Sequence, residues 1–249
     1  MKKLIKYLMQ VSILAAMTVP TLVNANCCYD DYFDCICPYG GVEAKWQNLV
    51  GRSDWSKVLN RSAWGGSVFV GARFMEYLGL EFGYTDLFAK TRNHTFAPGE
   101  NFFRNGDTGR AETKVTTRFS SGYVDLNGYY PCFDGCFDFI GSLGVSAMEP
   151  RVNIDIVNFG EGDTGFNIDD GNRLERIKGV PKAIFRLGAG AQYMFCDCVG
   201  LRGMIRFENT SALRFRVPGE RFTAPFNTDA LRRPFKDSVS VALGVFAAF

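Results

Sequence analysis

The residue types able to do chemistry are unevenly spread along this chain. Its eight cysteines fall into three groups: Cys27, Cys28, Cys35 and Cys37 in CCYDDYFDCIC, Cys132 and Cys136 in PCFDGC, and Cys196 and Cys198 in CDC. An even cysteine count in an exported chain points to disulfides, but eight cysteines admit about a hundred pairings, so spacing does not give the connectivity. Bridges inside Cys35-x-Cys37 or Cys196-x-Cys198 would close small, strained rings. The economical expectation is that the N-terminal group bonds to the other two. The alternatives are zinc held by thiolates at these spacings and bridges to other molecules.

Catalytic machinery is hard to find. His94 is the only histidine, so a Ser/His/Asp or Cys/His site must be built around it, and Asn93 and Thr95 beside it form no such constellation. There is no G-x-S-x-G elbow, H-E-x-x-H helix or phosphate loop. Glu161, Asp163, Asp169 and Asp170 lie in EGDTGFNIDDGN, whose spacing does not match an EF-hand and reads as a solvated acidic loop. The expectation is a chain without enzymatic activity, cofactor or metal site.

The elements that must position these residues begin with the front end. Lys2, Lys3 and Lys6 precede an apolar stretch, VSILAAM, and Val23-Asn24-Ala25 offers small residues for cleavage. This predicts a signal peptide over 1–25, and places the cysteines in an oxidising compartment. Loss of those three lysines takes the formal net charge from +2 to about −1. The basic balance is thus a property of the leader, and nucleic acid is not an expected partner.

The rest of the chain alternates with period two. In the final stretch, SVSVALGVFAAF, Val239, Val241, Leu243, Val245 and Phe249 share one face, Ser240, Ala242, Gly244 and Ala248 the other, and Phe246 breaks the contrast. Similar strands are expected at 42–48, 67–75, 78–87, 114–130, 137–148, 182–195 and 199–208, eight in all. The long fourth strand changes phase near Ser121-Gly122, where a bulge would restore a continuous apolar face. Long connections alternate with short ones, and the short ones lie around Glu76-Tyr77, PCFDGC and CDC. All the cysteines therefore fall at one end, the end of the short turns.

The two faces differ in a way that suits a membrane. One is apolar without charge in the best strands; the other mixes Gly and Ser with Glu43, Lys45, Arg73, Glu81, Arg118, Arg186, Arg202, Arg206 and Glu208. A lysine or arginine facing hydrocarbon would cost roughly 2–4 kcal/mol at the midplane, so the charged face must be the lumen. Eight strands enclose too little space for an open pore, and paired charges are expected to fill the lumen. Trp46, Tyr84, Tyr129, Tyr130, Tyr193 and Phe195 are candidates for interfacial girdles.

Together the leader, the eight strands, the loop asymmetry and the terminal GVFAAF resemble the eight-stranded bacterial outer-membrane β-barrels, a family that includes OmpA-type transmembrane domains and opacity-type surface proteins. The cysteines depart from that pattern. The resemblance implies an all-β, antiparallel up-and-down transmembrane barrel over 39–249, with a Cys-rich periplasmic arm at 26–38 and long outer loops. It also implies that Phe249 is read by the barrel-assembly machinery, and that the partners are outer-membrane lipid and lipopolysaccharide, with disulfide-linked envelope partners if bridges are intermolecular. Arg214, Arg216, Arg221, Arg232 and Arg233, set against Glu220 and Asp229 in the last outer loop, could grip lipopolysaccharide phosphates. The expected role is envelope-structural, with surface display by the loops. A small-solute channel and an adhesin binding host molecules through those loops are the alternatives.

Overall fold

The computed structural model describes residues 36–53, 55–75, 77–96, 111–132, 136–159, 173–180, 182–196, 198–216 and 234–249. The expected leader, Cys27, Cys28, Cys35, the acidic residues Glu161 to Asp170, and Glu220, Arg221, Asp229, Arg232 and Arg233 lie outside them. The described chain forms strands β1 (Cys37–Gly51), β2 (Ser62–Met75), β3 (Leu78–Phe96), β4 (Ala111–Cys132) and β5 (Phe137–Phe159). They are followed by β6 (Arg173–Val180), β7 (Lys182–Cys196), β8 (Val199–Glu208), β9 (Arg214–Arg216) and β10 (Phe235–Ala248). A one-turn helix, α1 (Trp55–Val58), and a 3-10 turn (Thr210–Ala212) lie between strands.

Eight of the strands close on themselves. Each pairs antiparallel with its neighbour in the order β1, β2, β3, β4, β5, β7, β8, β10, and β10 returns to β1 with Val42 opposite Val245 and Trp46 opposite Val241. Closure leaves no open edge among these strands, which is what a sheet surrounded by hydrocarbon requires. All eight expected strands are present. The sequence reading did not anticipate β6 and β9: β6 pairs with the far half of β5, and β9 pairs with β6. Pro181 stands between β6 and β7 in the sequence, and proline supplies no ladder N–H.

The expected bulge at Ser121-Gly122 is absent. β4 runs against β5 in unbroken register from Thr113 to Cys132, and the irregularities sit instead at Glu112/Thr113 and, on the β3 side, between Leu87 and Lys90. Val115 and Phe119 therefore point inward on the same parity as Tyr123 and Asp125. The strand does not change phase; the polarity of its surroundings does. In the half nearer the short turns the outside is apolar, with Val68, Val70, Phe82, Leu143, Leu187, Ile205 and Leu243 exposed, and the inside is polar. In the far half the inside is apolar, and Lys114, Thr116 and Arg118 face outward.

Phe246, the residue that breaks the alternation of the last strand, lies inside the barrel with Tyr39, Phe69 and Tyr123. It stands in register between Gly41 and Gly200. A Cβ on Gly200 would come within 2.7 Å of the Phe246 ring, so the glycine makes room for the inward aromatic. Tyr84, Tyr130, Tyr193 and Phe195 are exposed on the outside, as girdle residues should be, and Trp46 packs near Trp64 with ring centroids 6.5 Å apart. Tyr129 is a correction to the girdle. It turns inward, where the Arg73 guanidinium stacks 4.4 Å from its ring centre and its hydroxyl donates to Tyr39 Oη at 3.0 Å.

Candidate functional site

The site the sequence points to is the lumen, and its wall is built by strand parity. Inward positions bring Glu43 and Lys45 from β1, Glu81 from β3, Asp125 from β4, Arg186 from β7, and Arg202, Arg206 and Glu208 from β8 into one buried column. Arg202 is the central connection. Its Nη2 lies 2.9 Å from Glu81 Oε1, its Nη1 is also on that carboxylate, and its Nε donates to Glu43 Oε1 at 3.0 Å. Arg206 holds the same Glu43 through Nη1 at 3.0 Å and Nη2 at 3.2 Å. One level further, Arg186 lies 3.2 Å from Asp125 and 3.5 Å from Glu208, and Lys45 lies 3.6 Å from Glu208. At the short-turn end Arg73 reaches Asp138 at 3.1 Å.

Five carboxylates thus meet five cations among the described lumenal residues. Each charge buried without a partner would cost several kcal/mol in so dry a place, and pairing removes most of that cost. Neutral groups add to the network around Glu81, Glu208 and Asp138. Tyr39 and Tyr123 donate to Glu81, both at 3.2 Å, and Asn127 donates to Glu81 at 3.3 Å. Gln47 donates to Glu208 at 3.0 Å. Gln192 donates to Asp138 at 2.7 Å. Aromatic faces take up the guanidinium planes: Arg186 sits 3.8 Å from the Tyr123 ring centre and Arg202 4.0 Å from that of Phe69.

The structure brings together eight of the nine charged residues expected in the lumen. Arg118 is the exception, and a correction. Position 118 has outward parity on β4, and its side chain is 42% exposed and paired with Asp86 on the outer face of β3. The sequence reading missed Asp125 and Asp138, and the tyrosines that cap Glu81. Asp125 was visible in principle, since it lies between Val124 and Leu126 in a clean alternation.

Beyond the charged column the lumen is closed by an apolar plug. Leu49, Val58, Leu59, Leu87, Val115, Phe119, Met148, Val152, Ile184, Leu213 and Phe235 are each no more than 1% exposed. Strands alone do not supply it. Helix α1 and the bend that follows it carry Val58 and Leu59 into the mouth, anchored by Leu49 N–H donating to the Arg61 carbonyl at 2.7 Å and Asn60 Nδ2 donating to the Lys90 carbonyl at 2.6 Å. The 3-10 turn brings Leu213 in, with Asn209 Oδ1 accepting from Ser211 N–H at 3.2 Å. Phe119 and Phe235 meet edge to face in its centre, 5.9 Å apart.

At the short-turn end Cys37 is disulfide-bonded, and Cys132, Cys136 and Cys198 carry free thiols. The expectation that the N-terminal group bonds to both turns is therefore corrected for these three. Cys196 closes β7 at the same end. No group of three or more His, Cys, Asp or Glu able to hold a metal ion occurs among the described residues. His94 lies on β3 opposite Thr113, far along the strand from the charged column.

No protein-family model and no curated protein matches the chain. Solved structures do. A major outer membrane protein from Thermus thermophilus is 13% identical, covers 86% of this chain and 100% of its own, and superposes with a TM-score of 0.46. The outer membrane protein OprG from Pseudomonas aeruginosa is 11% identical, covering 88% and 97%, with a TM-score of 0.44. Ail, the attachment invasion locus protein of Yersinia pestis, is 10% identical, covering 86% and 97%, with a TM-score of 0.42. The barrel itself is established by this chain's own strand pairing.

Proposed function

We propose that this chain is a non-enzymatic integral protein of the bacterial outer membrane, a sealed barrel that braces the envelope and displays its outer connections. The observation that carries the reading is the exchange of polarity along the barrel. Apolar side chains face outward and paired charges inward over one half, and the arrangement reverses over the other. Only a wall that leaves hydrocarbon for water part way along its strands needs both patterns. The half that bears the charged lumen spans the bilayer, the short turns with the cysteines face the periplasm, and the plugged half stands outside the cell.

A plugged lumen argues against conduction. Water and ions would have to cross a dry layer of leucine, valine and phenylalanine after threading a column of five carboxylates set against five cations. On this reading 1–25 is a cleaved leader and 26–38 is a periplasmic arm that runs into β1 at Cys37. Phe249, whose N–H donates to the Pro38 carbonyl at 2.9 Å where the last strand meets the first, is the residue read by the assembly machinery. The test is fractionation of the expressing cell followed by reconstitution. The protein should partition with the outer membrane, run faster on gels before heating than after, and give no single-channel steps in planar bilayers. Recovery in a soluble fraction without detergent, or steady conductance, would reject the proposal.

A further inference from the structure

The charged column has two levels that are held differently. At the lower level direct hydrogen bonds join Arg202 and Arg206 to Glu43 and Glu81. At the upper level the pairs stand at charge distance only. Arg186 Nε is 3.5 Å and Lys45 Nζ 3.6 Å from the same oxygen, Glu208 Oε1, and Arg186 Nη2 is 3.2 Å from Asp125 Oδ2. These contacts lack hydrogen-bond geometry, so Lys45 Nζ, Glu208 Oε1 and all three guanidinium nitrogens of Arg186 make no hydrogen bond. Asp125 Oδ1, Ser146 Oγ and Ser240 Oγ make none either. The six residues are no more than 2% exposed, where an unsatisfied polar atom is costly.

Strand register gathers these atoms in one place. Glu208 stands opposite Arg186, and Gly144 stands opposite both Arg186 and Asp125, with Ser146 next on the same inward face. A Cβ on Gly144 would come within 2.2 Å of Asp125 Oδ1, so the glycine keeps room beside that oxygen. Ser240 stands opposite Gln47, whose amide holds the other oxygen of Glu208 at 3.0 Å. The face of the Arg186 guanidinium is taken by Tyr123, which leaves its N–H edges for a polar partner.

The mixture of atoms selects the ligand. A halide would serve the nitrogens and repel the carboxylate oxygens, and a metal ion would do the reverse. Two cations already face two carboxylates at this level, so either ion would bring a net charge into a buried site, with a large desolvation cost. Water donates and accepts at once. A buried water makes about three hydrogen bonds, so these eight atoms match about three waters. We propose that Lys45, Asp125, Ser146, Arg186, Glu208 and Ser240 form a binding site for a cluster of internal waters that bridges the cations to the carboxylates beneath the apolar plug. The lower level then locks the wall by direct contact, and the upper level is a hydrated chamber closed by the plug above it. The proposal rests on the barrel alone and is independent of the outer-membrane reading.

The test uses the full refolded chain in detergent micelles, with waters held longer than nanoseconds counted by oxygen-17 relaxation dispersion. R186M/D125L removes a cation and an acid together, and should hold about half as many waters at this site as the wild type. S146A/S240A keeps every charge and should lose about one, which reports on the site even where the first variant does not fold. An equal count in the wild type and in each variant that gives the faster-running unheated band overturns the site. Loss of the waters on adding sodium bromide, with bromide-81 line broadening in the wild type alone, overturns water in favour of an anion. Double-mutant cycles on unfolding give the second readout: the Arg202–Glu81 coupling should exceed the Arg186–Glu208 coupling about tenfold, expressed as an equilibrium constant. Equal couplings would show that Arg186 and Glu208 meet directly, and would overturn the bridging waters.

Discussion

The Arg202 guanidinium spans the lumen from β8 to hold the Glu81 carboxylate on β3 and the Glu43 carboxylate on β1 at once. Removing it leaves Glu81 with the neutral donors Tyr39, Tyr123 and Asn127 alone, while Glu43 keeps Arg206; removing Glu81 leaves Arg202 with Glu43. R202L should therefore cost more than E81Q, on the order of 3–5 kcal/mol against a smaller loss. Urea unfolding in detergent, followed through the unheated gel band, measures both. Equal losses would show that the two acids do not share the cation in solution.

Tyr123 depends on a glycine opposite it. A Cβ at Gly83 would lie 2.2 Å from the Tyr123 ring, and the nearest three atoms to it all belong to that side chain. G83A should thus cost about 1–3 kcal/mol by displacing a ring that stacks on Arg186 and donates to Glu81. In a Y123L background the same G83A change should cost much less, because its obstacle is gone. A full penalty in both backgrounds would trace the effect to the backbone instead.

How much of this was legible in the sequence depends on which half of the barrel is asked about. In the bilayer half the outside is uniformly apolar, so parity alone placed Glu43, Lys45, Glu81, Arg186, Arg202, Arg206 and Glu208 inside. In the outer half both faces meet different surroundings, and the same parity rule reversed its meaning. Val115 and Phe119 then looked like a phase error, and Arg118 looked lumenal. The plug was hidden for another reason: Val58, Leu59 and Leu213 come from connections, where period-two alternation gives no signal. Phe246 breaks the alternation of the last strand, but its explanation needs the register that sets Gly41 and Gly200 beside it.

The thiols offer a direct chemical check. Cys132, Cys136 and Cys198 should react with a maleimide in the folded, unreduced protein, and Cys37 only after reductant. Intact-mass measurement before and after reduction, with peptide mapping of the labelled sites, reads this out. Protection of Cys132 and Cys136 without reductant would restore the bridges to that turn.

The plug should matter more to stability than to sealing. Phe119 is 1% exposed and meets Phe235 edge to face, so F119A should leave a cavity in a layer that has no water to fill it favourably. The loss should be about 3–5 kcal/mol. Conductance should nevertheless stay at the baseline, because the ion must still pass Arg186, Asp125, Lys45 and Glu208, whose pairs are untouched by the change. Opening the pore should require breaking both layers, as in F119A combined with R202L. Steps appearing with F119A alone would mean that the plug is the only barrier, and that the charged column beneath it is a path.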